Sequence, residues 1–254
     1  MAEDADRSIV VENLRTKLRQ LEGGQSASRP ALPFGIAAID GRLPDGGLAM
    51  GALHEVAGGG NGAVDGAAAA LFAAGIVART KGKILWCVTQ HDLFAPALSQ
   101  AGLSMRRVIF VDAGDEKTVL ACFEEGLRHG GVTGVVAEVA RLSMATSRRL
   151  QLAAETSGAI GIAIRRWRRS ADAADFGQPT AARTRWRVTA MPSDALPVPG
   201  VGRARWLLEL IRCRAGECAD FDVKACDEKG RLILFSDMAD RSRQAAGGVA
   251  RRAG

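Results

Sequence analysis

The chain has 254 residues, of which 47% are hydrophobic, and a formal net charge of +6. Its length predicts either one fairly large domain or one domain with appendages, and its apolar content is sufficient for a sizeable core. No window of ~18 uncharged apolar residues occurs, so no membrane span is predicted. The acidic first residues lack the apolar segment of a secretory signal, and we therefore expect a cytoplasmic protein whose five cysteines are reduced.

The N-terminal residues predict a helix that precedes the main domain. Residues 8–21 carry one apolar stripe at helical spacing, formed by Val11, Leu14, Leu18 and Leu21. Residues 23–28 are typical of a linker, so residues 1–28 form a predicted helix and tether. The stripe predicts a surface that binds a partner molecule, and the alternative is that the helix packs back on its own domain.

Alternating strand-like and helical patterns predict an α/β domain over residues 29–238. The predicted strands cover residues 52–56, 83–89, 107–112, 134–139 and 159–164, and the predicted helices cover residues 66–79, 93–101, 118–128 and 146–155. Continuous apolar strands separated by such helices predict a mostly parallel sheet flanked by helices. Shorter strands at residues 187–191, 205–212, 220–225 and 231–235 predict an antiparallel extension towards the C-terminus. Residues 239–254 are polar and basic, and we expect a disordered tail.

A glycine-rich turn follows the first long predicted strand and precedes an alanine-rich helix. This is the order of a phosphate-binding loop, in which backbone N–H groups at a helix N-terminus point at the anion. The turn contains Gly58, Gly59, Gly60, Asn61 and Gly62. In the pattern G-x-x-x-x-G-K-[ST], counted from Gly58, Val64 falls on the lysine and Asp65 on the hydroxyl residue that binds magnesium. The sequence therefore predicts a degenerate nucleotide loop without its cation.

The order of these segments resembles the RecA-like core, and residues 34–40 and 46–51 resemble the segment that enters its phosphate loop. The resemblance implies that Gln90 stands where recombinases carry the glutamate that activates the attacking water, and an amide cannot accept that proton. It also implies that Phe94 and Ala97 replace the adenine contacts, Glu138 the usual magnesium-side aspartate and Ala163 a polar sensor residue. Losses at the phosphate, magnesium, water and adenine positions predict a pseudo-ATPase that uses no cofactor.

Within RecA-like proteins, residues 32–236 resemble the ImuA family. The resemblance rests on the loop without lysine and on residues 184–188 and 198–206, which combine arginine and tryptophan. It implies an accessory role in the bacterial SOS response, in which the protein supports translesion synthesis past damaged DNA. The implied partners are an ImuB-like Y-family polymerase homologue, an error-prone replicative-type DNA polymerase and RecA.

An arginine-rich segment follows the last predicted parallel strand, because residues 165–187 contain seven arginines against Asp172 and Asp175. In RecA-like recombinases the loop after this strand holds single-stranded DNA. Arginines can neutralise backbone phosphates while an indole stacks on a base. The predicted DNA contacts are Arg165, Arg166, Trp167, Arg168, Arg169, Arg183 and Arg185. The alternatives are ion pairs across a protein interface and an ordinary solvated surface.

Several other polar residues have structural interpretations. We expect His54, in an apolar strand, to be a core residue whose ring nitrogens are hydrogen-bonded. Glu138 is expected to be a buried carboxylate with a hydrogen-bond partner. Asp112, Asp115 and Glu116 follow a predicted strand and are expected to cap the next helix. The cysteines and histidines lack metal-ligand spacing, so no metal site is predicted.

Two other functions stay open on the sequence alone. One is an active DNA-dependent ATPase whose phosphate lysine comes from elsewhere, with Lys81 and Lys83 as candidates. The other is an SOS inhibitor of cell division, which leaves the basic segment unexplained. A homo-oligomer is also compatible with the resemblance, because RecA-like folds pair through the nucleotide face.

Overall fold

The computed structural model describes residues 30–60, 62–166, 176–193, 196 and 199–235. The predicted N-terminal helix and the predicted C-terminal tail lie outside these residues, and the domain boundaries stay predictions. Within the described residues, strands and helices alternate in the predicted order.

The described residues form eleven strands and five α-helices. The strands are β1 (Ala31–Leu32), β2 (Leu48–Ala49), β3 (Leu53–Gly58), β4 (Ile84–Val88), β5 (Val108–Asp112), β6 (Gly134–Val139), β7 (Ile160–Arg165), β8 (Thr184–Met191), β9 (Arg205–Cys213), β10 (Ala219–Lys224) and β11 (Ile233–Leu234). The helices are α1 (Ala37–Asp40), α2 (Ala63–Ala78), α3 (Ala95–Gln100), α4 (Glu116–His129) and α5 (Met144–Ser157).

Nine strands form one sheet in the order β11-β10-β9-β8-β3-β7-β6-β4-β5, and β1 pairs with β2 separately. The strands from β8 to β5 in this order run parallel, whereas β9, β10 and β11 pair antiparallel. This confirms the predicted mostly parallel sheet with antiparallel strands towards the C-terminus. One detail of the prediction is wrong, because β8 pairs parallel with β3 and the antiparallel extension begins at β9.

Helices cover both faces of the sheet and divide the core into two clusters. On one face α2 packs against β3 and β8, next to an aromatic group formed by Phe34, Phe72, Trp186, Trp206 and Phe221. On the other face α4 and α5 pack against the parallel strands. Every residue of β3, β6 and β7 is buried, which explains why these strands are nearly continuous apolar runs.

His54 is the hydrogen-bonded core residue that the sequence predicted. It is buried in β3, with Nδ1 2.7 Å from Thr184 Oγ1 and Nε2 2.9 Å from Ala49 O. A carbonyl oxygen can only accept, so Nε2 carries a proton and donates to Ala49 O. Burial lowers the pKa of His54, so the ring is neutral and Nδ1 accepts from the Thr184 hydroxyl, which also accepts from Trp186 Nε1 at 2.9 Å.

Asp115 is the side-chain cap of α4. It accepts a hydrogen bond from Thr118 N at 3.0 Å, as the sequence predicted. The carboxylates on either side bond elsewhere: Asp112 accepts from Gly114 N and Glu116 accepts from Arg141 N. The cap prediction is therefore confirmed for one of its three residues.

Candidate functional site

The carboxyl ends of the parallel strands meet at one edge of the sheet, where several predicted site residues lie. The glycine-rich loop follows β3, Gln90 lies two residues after β4, and Glu138 is the penultimate residue of β6. Arg166 directly follows β7. Open parallel sheets bind their ligands at this edge. The fold thus gathers the loop, the acid position and a basic residue in one place.

The glycine loop packs directly against β8. Gly59 N donates to Val188 O at 2.8 Å, and a Cβ built on Gly59 would lie 1.8 Å from Thr189 Oγ1. Cβ atoms on Gly58 and Gly60 would lie 2.9 and 2.8 Å from the nearest atoms of Asp65. Glycine is required here because the loop, β8 and the first turn of α2 approach so closely.

Asp65, at the position of the magnesium hydroxyl, makes a structural contact. Its Oδ1 accepts from Ala190 N at 2.8 Å and ties the first turn of α2 to β8. The helix dipole that favours a carboxylate in this turn is the same field that attracts phosphate. The carboxylate therefore puts a negative charge where a nucleotide would bring its own. Val64, at the lysine position, exposes 69% of its surface and offers no cation.

Glu138 is buried and paired with arginine, which confirms its structural interpretation. Arg166 Nη1 lies 2.6 Å from Glu138 Oε2, and Trp86 Nε1 donates to Glu138 Oε1 at 3.4 Å. Arg166 also forms two bonds with the Asp92 carboxylate, at 2.9 and 2.6 Å. We call Asp92, Glu138 and Arg166 the Arg166 cluster. Its guanidinium supplies the positive charge that the buried carboxylate needs.

Burial and ion pairing shift the pKa of Glu138 in opposite directions. Burial raises the pKa of Glu138, and the charge and hydrogen bonds of Arg166 oppose that rise. Hydrogen bonds to Asp92, together with the contact to Glu138, raise the pKa of Arg166 above its ordinary value. Arg166 is therefore always cationic and is held by two carboxylates, which compete with any DNA phosphate for its donors.

A cavity of about 520 Å³ opens between the glycine loop, α2 and the segment that leads into α3. Phe94 and Ala97, at the adenine positions, both line it, and Phe94 exposes 68% of its surface. The charged residues of its described lining are Asp92, Arg165 and Arg166, and that lining contains no lysine. Ala163, at the sensor position, is fully buried in β7. The residues at the adenine and sensor positions are therefore apolar, and the described lining has no lysine beside the glycine loop.

The two lysines considered as replacements for the phosphate lysine lie where the parallel strands begin, whereas the glycine loop lies where they end. Lys81 and Lys83 precede β4, whereas the glycine loop follows β3, which runs in the same direction. The five residues of β4 separate the two ends of the strand by about 16 Å. Lys83 Nζ donates to Arg106 O at 2.8 Å. Neither lysine can replace the missing cation without a rearrangement of the sheet.

Two of the arginines predicted to contact DNA are buried instead. Arg165 Nη1 lies 2.7 Å from Glu55 Oε2, and Arg185 Nη2 lies 2.9 Å from Glu55 Oε1. Thr180 Oγ1 also donates to Glu55 Oε1. We call Glu55, Arg165, Thr180 and Arg185 the Glu55 cluster. The prediction that Arg165 and Arg185 contact DNA is wrong, because both guanidiniums are enclosed and bound inside the protein.

The Glu55 cluster attaches the two ends of the arginine-rich segment, residues 165–187, to β3. At the first end, Arg165 also donates to Ala140 O at 2.9 Å. At the second, Arg185 donates to Phe176 O and to Gln178 O, and its guanidinium carbon lies 5.0 Å from the centre of the Phe176 ring. The strand that leads into the glycine loop thus positions the residues at either end of the segment.

The remaining predicted site residues have separate outcomes. Arg183 is half-buried, and its backbone N–H donates to Leu53 O at 2.8 Å. Eight residues lie outside the described part of the chain: Val11, Leu14, Leu18, Leu21, Asn61, Trp167, Arg168 and Arg169. Their roles in partner binding, the loop and DNA binding stay predictions.

Sequence reasoning missed the Glu55 cluster and the contact of Asp65. A signal for the cluster was present, because Glu55 is a carboxylate within an apolar strand and a buried carboxylate needs partners. The contact of Asp65 left no local signal, because its donor, the backbone N–H of Ala190, lies 125 residues away in sequence.

Other site chemistries find little support in the described residues. They contain no group of three or more His, Cys, Asp or Glu side chains arranged to hold a metal ion. In the same part of the chain, no helix has both the length and the apolar character required to cross a bilayer. The five cysteines are free thiols.

Comparison with known proteins agrees with this fold. The crystal structure of the RadB recombinase matches with a TM-score of 0.54 and 18% identity, over 79% of this chain and 98% of that one, which shows a RecA-like fold. No protein-family model matches the chain. Two curated relatives, both named Protein ImuA, come from Caulobacter vibrioides strains NA1000 / CB15N and ATCC 19089 / CIP 103742 / CB 15. Each is 37% identical over 89% of this chain and 97% of its own length, and the chain therefore belongs to the ImuA family.

Proposed function

We propose that the protein is a non-catalytic accessory factor in damage-induced mutagenesis. It links an error-prone translesion polymerase complex, which contains an ImuB-like homologue, to RecA or to single-stranded DNA. Membership of the ImuA family supports this role. The observation that carries the non-catalytic part is the internal use of two site carboxylates, since Asp65 binds the Ala190 backbone and Glu138 binds Arg166.

Hydrolysis of a nucleoside triphosphate depends on positioned charge around the transferred phosphate. That requires a cation at the phosphates, a metal ligand and a group that orients water. At these positions the chain has Val64, Asp65 and Gln90. A nucleotide would have to displace the Asp65 contact and tolerate its charge. The loop therefore has a structural role, which is to hold α2 against β8.

The first experiment measures phosphate release by the purified full chain with ATP, with and without single-stranded DNA, alongside RecA as the positive control. We expect no release above the protein-free blank in either condition. Turnover that Lys81→Ala or Glu138→Gln abolishes would overturn the proposal, because it would reveal a working lysine or acid.

The DNA part of the proposal rests on a smaller set of side chains than the sequence suggested. With Arg165 and Arg185 buried, Trp167, Arg168 and Arg169 are the principal candidates, and Arg166 is bound to two carboxylates. A short basic group with one indole suits binding without sequence readout. Such binding fits a factor that acts at lesions in any context.

A salt series tests this interaction. Arg168→Ala/Arg169→Ala should weaken binding to single-stranded DNA and reduce the log–log salt slope by about one unit for each phosphate that is no longer neutralised. The matched control is Arg128→Ala/Arg149→Ala, which removes two exposed arginines and the same charge from α4 and α5. If both double variants keep the wild-type slope, the segment belongs to a protein interface instead.

The partner contact is tested by co-purification with the ImuB-like protein and with RecA, with and without DNA. Leu14→Asp/Leu18→Asp on the predicted N-terminal stripe should abolish capture while the domain stays folded. Thr16→Asp, on the opposite side of the same predicted helix, is the control and should retain capture. If the stripe variant unfolds the domain, the helix is part of the core and not a docking element.

A further inference from the structure

β5 is an open edge of the main sheet. Among the described strands it pairs with β4 alone, so a row of its backbone N–H and C=O groups faces outward. The other edge ends in β11, which has two residues, whereas β5 has five. An edge of this length can accept a further strand through main-chain hydrogen bonds.

The side chains of β5 are also unusually exposed for this sheet. Ile109 is 48% exposed and Phe110 is 44% exposed. Consecutive strand residues point to opposite faces, so apolar surface is open on both faces of this edge. Natural edge strands usually carry charge or proline against pairing, but Val108–Asp112 places four apolar residues before its one charge. The pattern favours a partner strand over solvent.

The charges that flank β5 have opposite sign at its two ends. Residues 104–107 contain two arginines and no carboxylate, whereas residues 112–117 contain three carboxylates against Lys117. Such a strand complements a copy of itself that runs antiparallel, because each basic end then meets an acidic end. A parallel copy would place like charges together, which is destabilising.

We propose that β5 binds β5 of a second copy of this chain, antiparallel and about a two-fold axis at Phe110. In this register Ile109 faces Val111 of the second copy, and the two Phe110 rings face each other. The pairing joins two sheets into one and buries apolar groups on both faces. The same surface contributes from both copies, as a closed two-fold dimer requires.

Arg106 and Asp112 are the charges that meet across this interface. Arg106 is exposed, whereas the guanidinium of Arg107 is bound to the main-chain carbonyls of Ala78 and Gly82. Asp112 is exposed beside His91, with Nε2 2.9 Å from Oδ2. Arg106 lies in the 3-10 turn Met105–Arg107 that leads into β5, and in the proposed pairing this turn comes next to the end of β5 of the second copy, with Asp112 within reach of the long arginine side chain. Two such pairs form, one at each end.

Analytical ultracentrifugation of the full, nuclease-treated chain over a concentration series tests the proposal. Wild type should show a monomer–dimer equilibrium, and Phe110→Glu should be monomeric because two carboxylates would face each other. Val201→Glu changes an almost fully exposed apolar residue outside the sheet and should dimerise like wild type. Matching thermal melts would show that the variants are folded.

A charge exchange then tests the antiparallel register. Arg106→Glu alone places two carboxylates together at both ends, and Asp112→Arg alone places two guanidiniums together, so each should weaken self-association by about tenfold. An equal mixture of the two variants should recover the wild-type affinity, because the mixed dimer restores attraction at both ends.

Several results would overturn the proposal. They are a wild-type chain that stays monomeric throughout the series, a Phe110→Glu variant that dimerises normally, and a mixture that shows no recovery. Tighter association of Arg106→Glu with wild type than of wild type with itself would indicate parallel strands, which also contradicts it. Because no nucleotide or DNA is present, these outcomes are independent of the proposed accessory role.

Discussion

Arg165 and Arg166 are neighbours in sequence, yet they belong to two different kinds of charge cluster. Arg165 lies inside the protein in the Glu55 cluster, where two guanidiniums share one carboxylate. Arg166 lies on the cavity wall in the Arg166 cluster, where one guanidinium is shared by two carboxylates. Successive residues at the end of a strand point to opposite sides of the sheet. An arginine run therefore cannot be interpreted as one surface.

The two clusters also differ in their contact with water. The side chains of Glu55 and Arg165 are inaccessible, and carbonyl oxygens of Ala140 and Gln178 accept further guanidinium donors. In the Arg166 cluster, the Arg166 side chain is 33% exposed and only Glu138 is deeply buried. The Glu55 cluster is thus a fixed part of the interior. The Arg166 cluster lies at the rim of the cavity, and the stabilisation that its ion pairs give depends on the solvent.

The largest expected effect comes from Glu55→Gln. This change leaves two buried guanidiniums without their carboxylate, and breaking a buried pair in this way costs about 3–5 kcal/mol. We expect a loss of that size in the free energy of unfolding, measured by urea denaturation. The exposed Glu125→Gln serves as control and should change stability by less than about 0.5 kcal/mol.

A loss from Glu55→Gln no larger than that of Glu125→Gln would contradict the comparison. It would mean that water reaches the Glu55 cluster and that Arg165 is available to ligands after all. A salt titration adds a second measure. The cost of Glu55→Gln should stay constant from low to high salt, because buried pairs are weakly screened.

The second prediction uses His54, which lies beside Glu55 in sequence but on the other face of β3. Burial lowers the pKa of His54 from 6.5 to about 4. Above pH 6.5 the neutral ring is present in both states and its stabilising contribution is complete. As pH falls from 6.5 to about 4, the unfolded state takes up the proton first, so stability falls by about 3 kcal/mol in total.

The measurement is the difference between wild type and His54→Gln in the free energy of unfolding as a function of pH. Subtraction removes the contribution of carboxylates that titrate in the same range. The difference should be steep between pH 6.5 and 4 and flat above pH 7. A difference that stays flat at every pH would show that water reaches the His54 ring. The neighbouring Glu55 would then also be open to water, which contradicts its expected burial.

Local patterns in the sequence were sufficient for the architecture but not for the clusters. The strands and helices followed from apolar runs and their spacing, and the absence of lysine from the glycine loop was visible directly. The burial of Arg165 and Arg185 was not, because it depends on β7 and β8 lying on either side of β3, and the ion pairs that result join residues 110 and 130 positions apart. The position of β8 also supplies the Ala190 backbone N–H for Asp65. What the sequence could not predict is therefore the consequence of which strands are neighbours of β3.

The third prediction concerns the Arg166 cluster at the rim of the cavity. Arg166→Ala leaves Glu138 buried without its cation, and we expect a loss of about 2 kcal/mol, smaller than for Glu55→Gln because Asp92 remains solvated. The loss should shrink as salt increases, unlike that of Glu55→Gln. In the double variant Arg166→Ala/Glu138→Gln much of the stability should return, because the uncompensated charge is gone. A double variant whose losses simply add would show that the two residues are not coupled.

The smallest expected effect belongs to Asp65, whose single hydrogen bond joins α2 to β8. Asp65→Ala removes the acceptor for the Ala190 N–H, so we expect a loss of about 1 kcal/mol. Asp65→Asn keeps an oxygen at the same place and should lose less than Asp65→Ala. If both variants equal wild type in stability, the contact does not hold the loop. If either binds ATP in a filter assay where wild type does not, the carboxylate rather than the missing lysine is what excludes nucleotide, and the loop retains more of its phosphate-binding geometry than its sequence suggests.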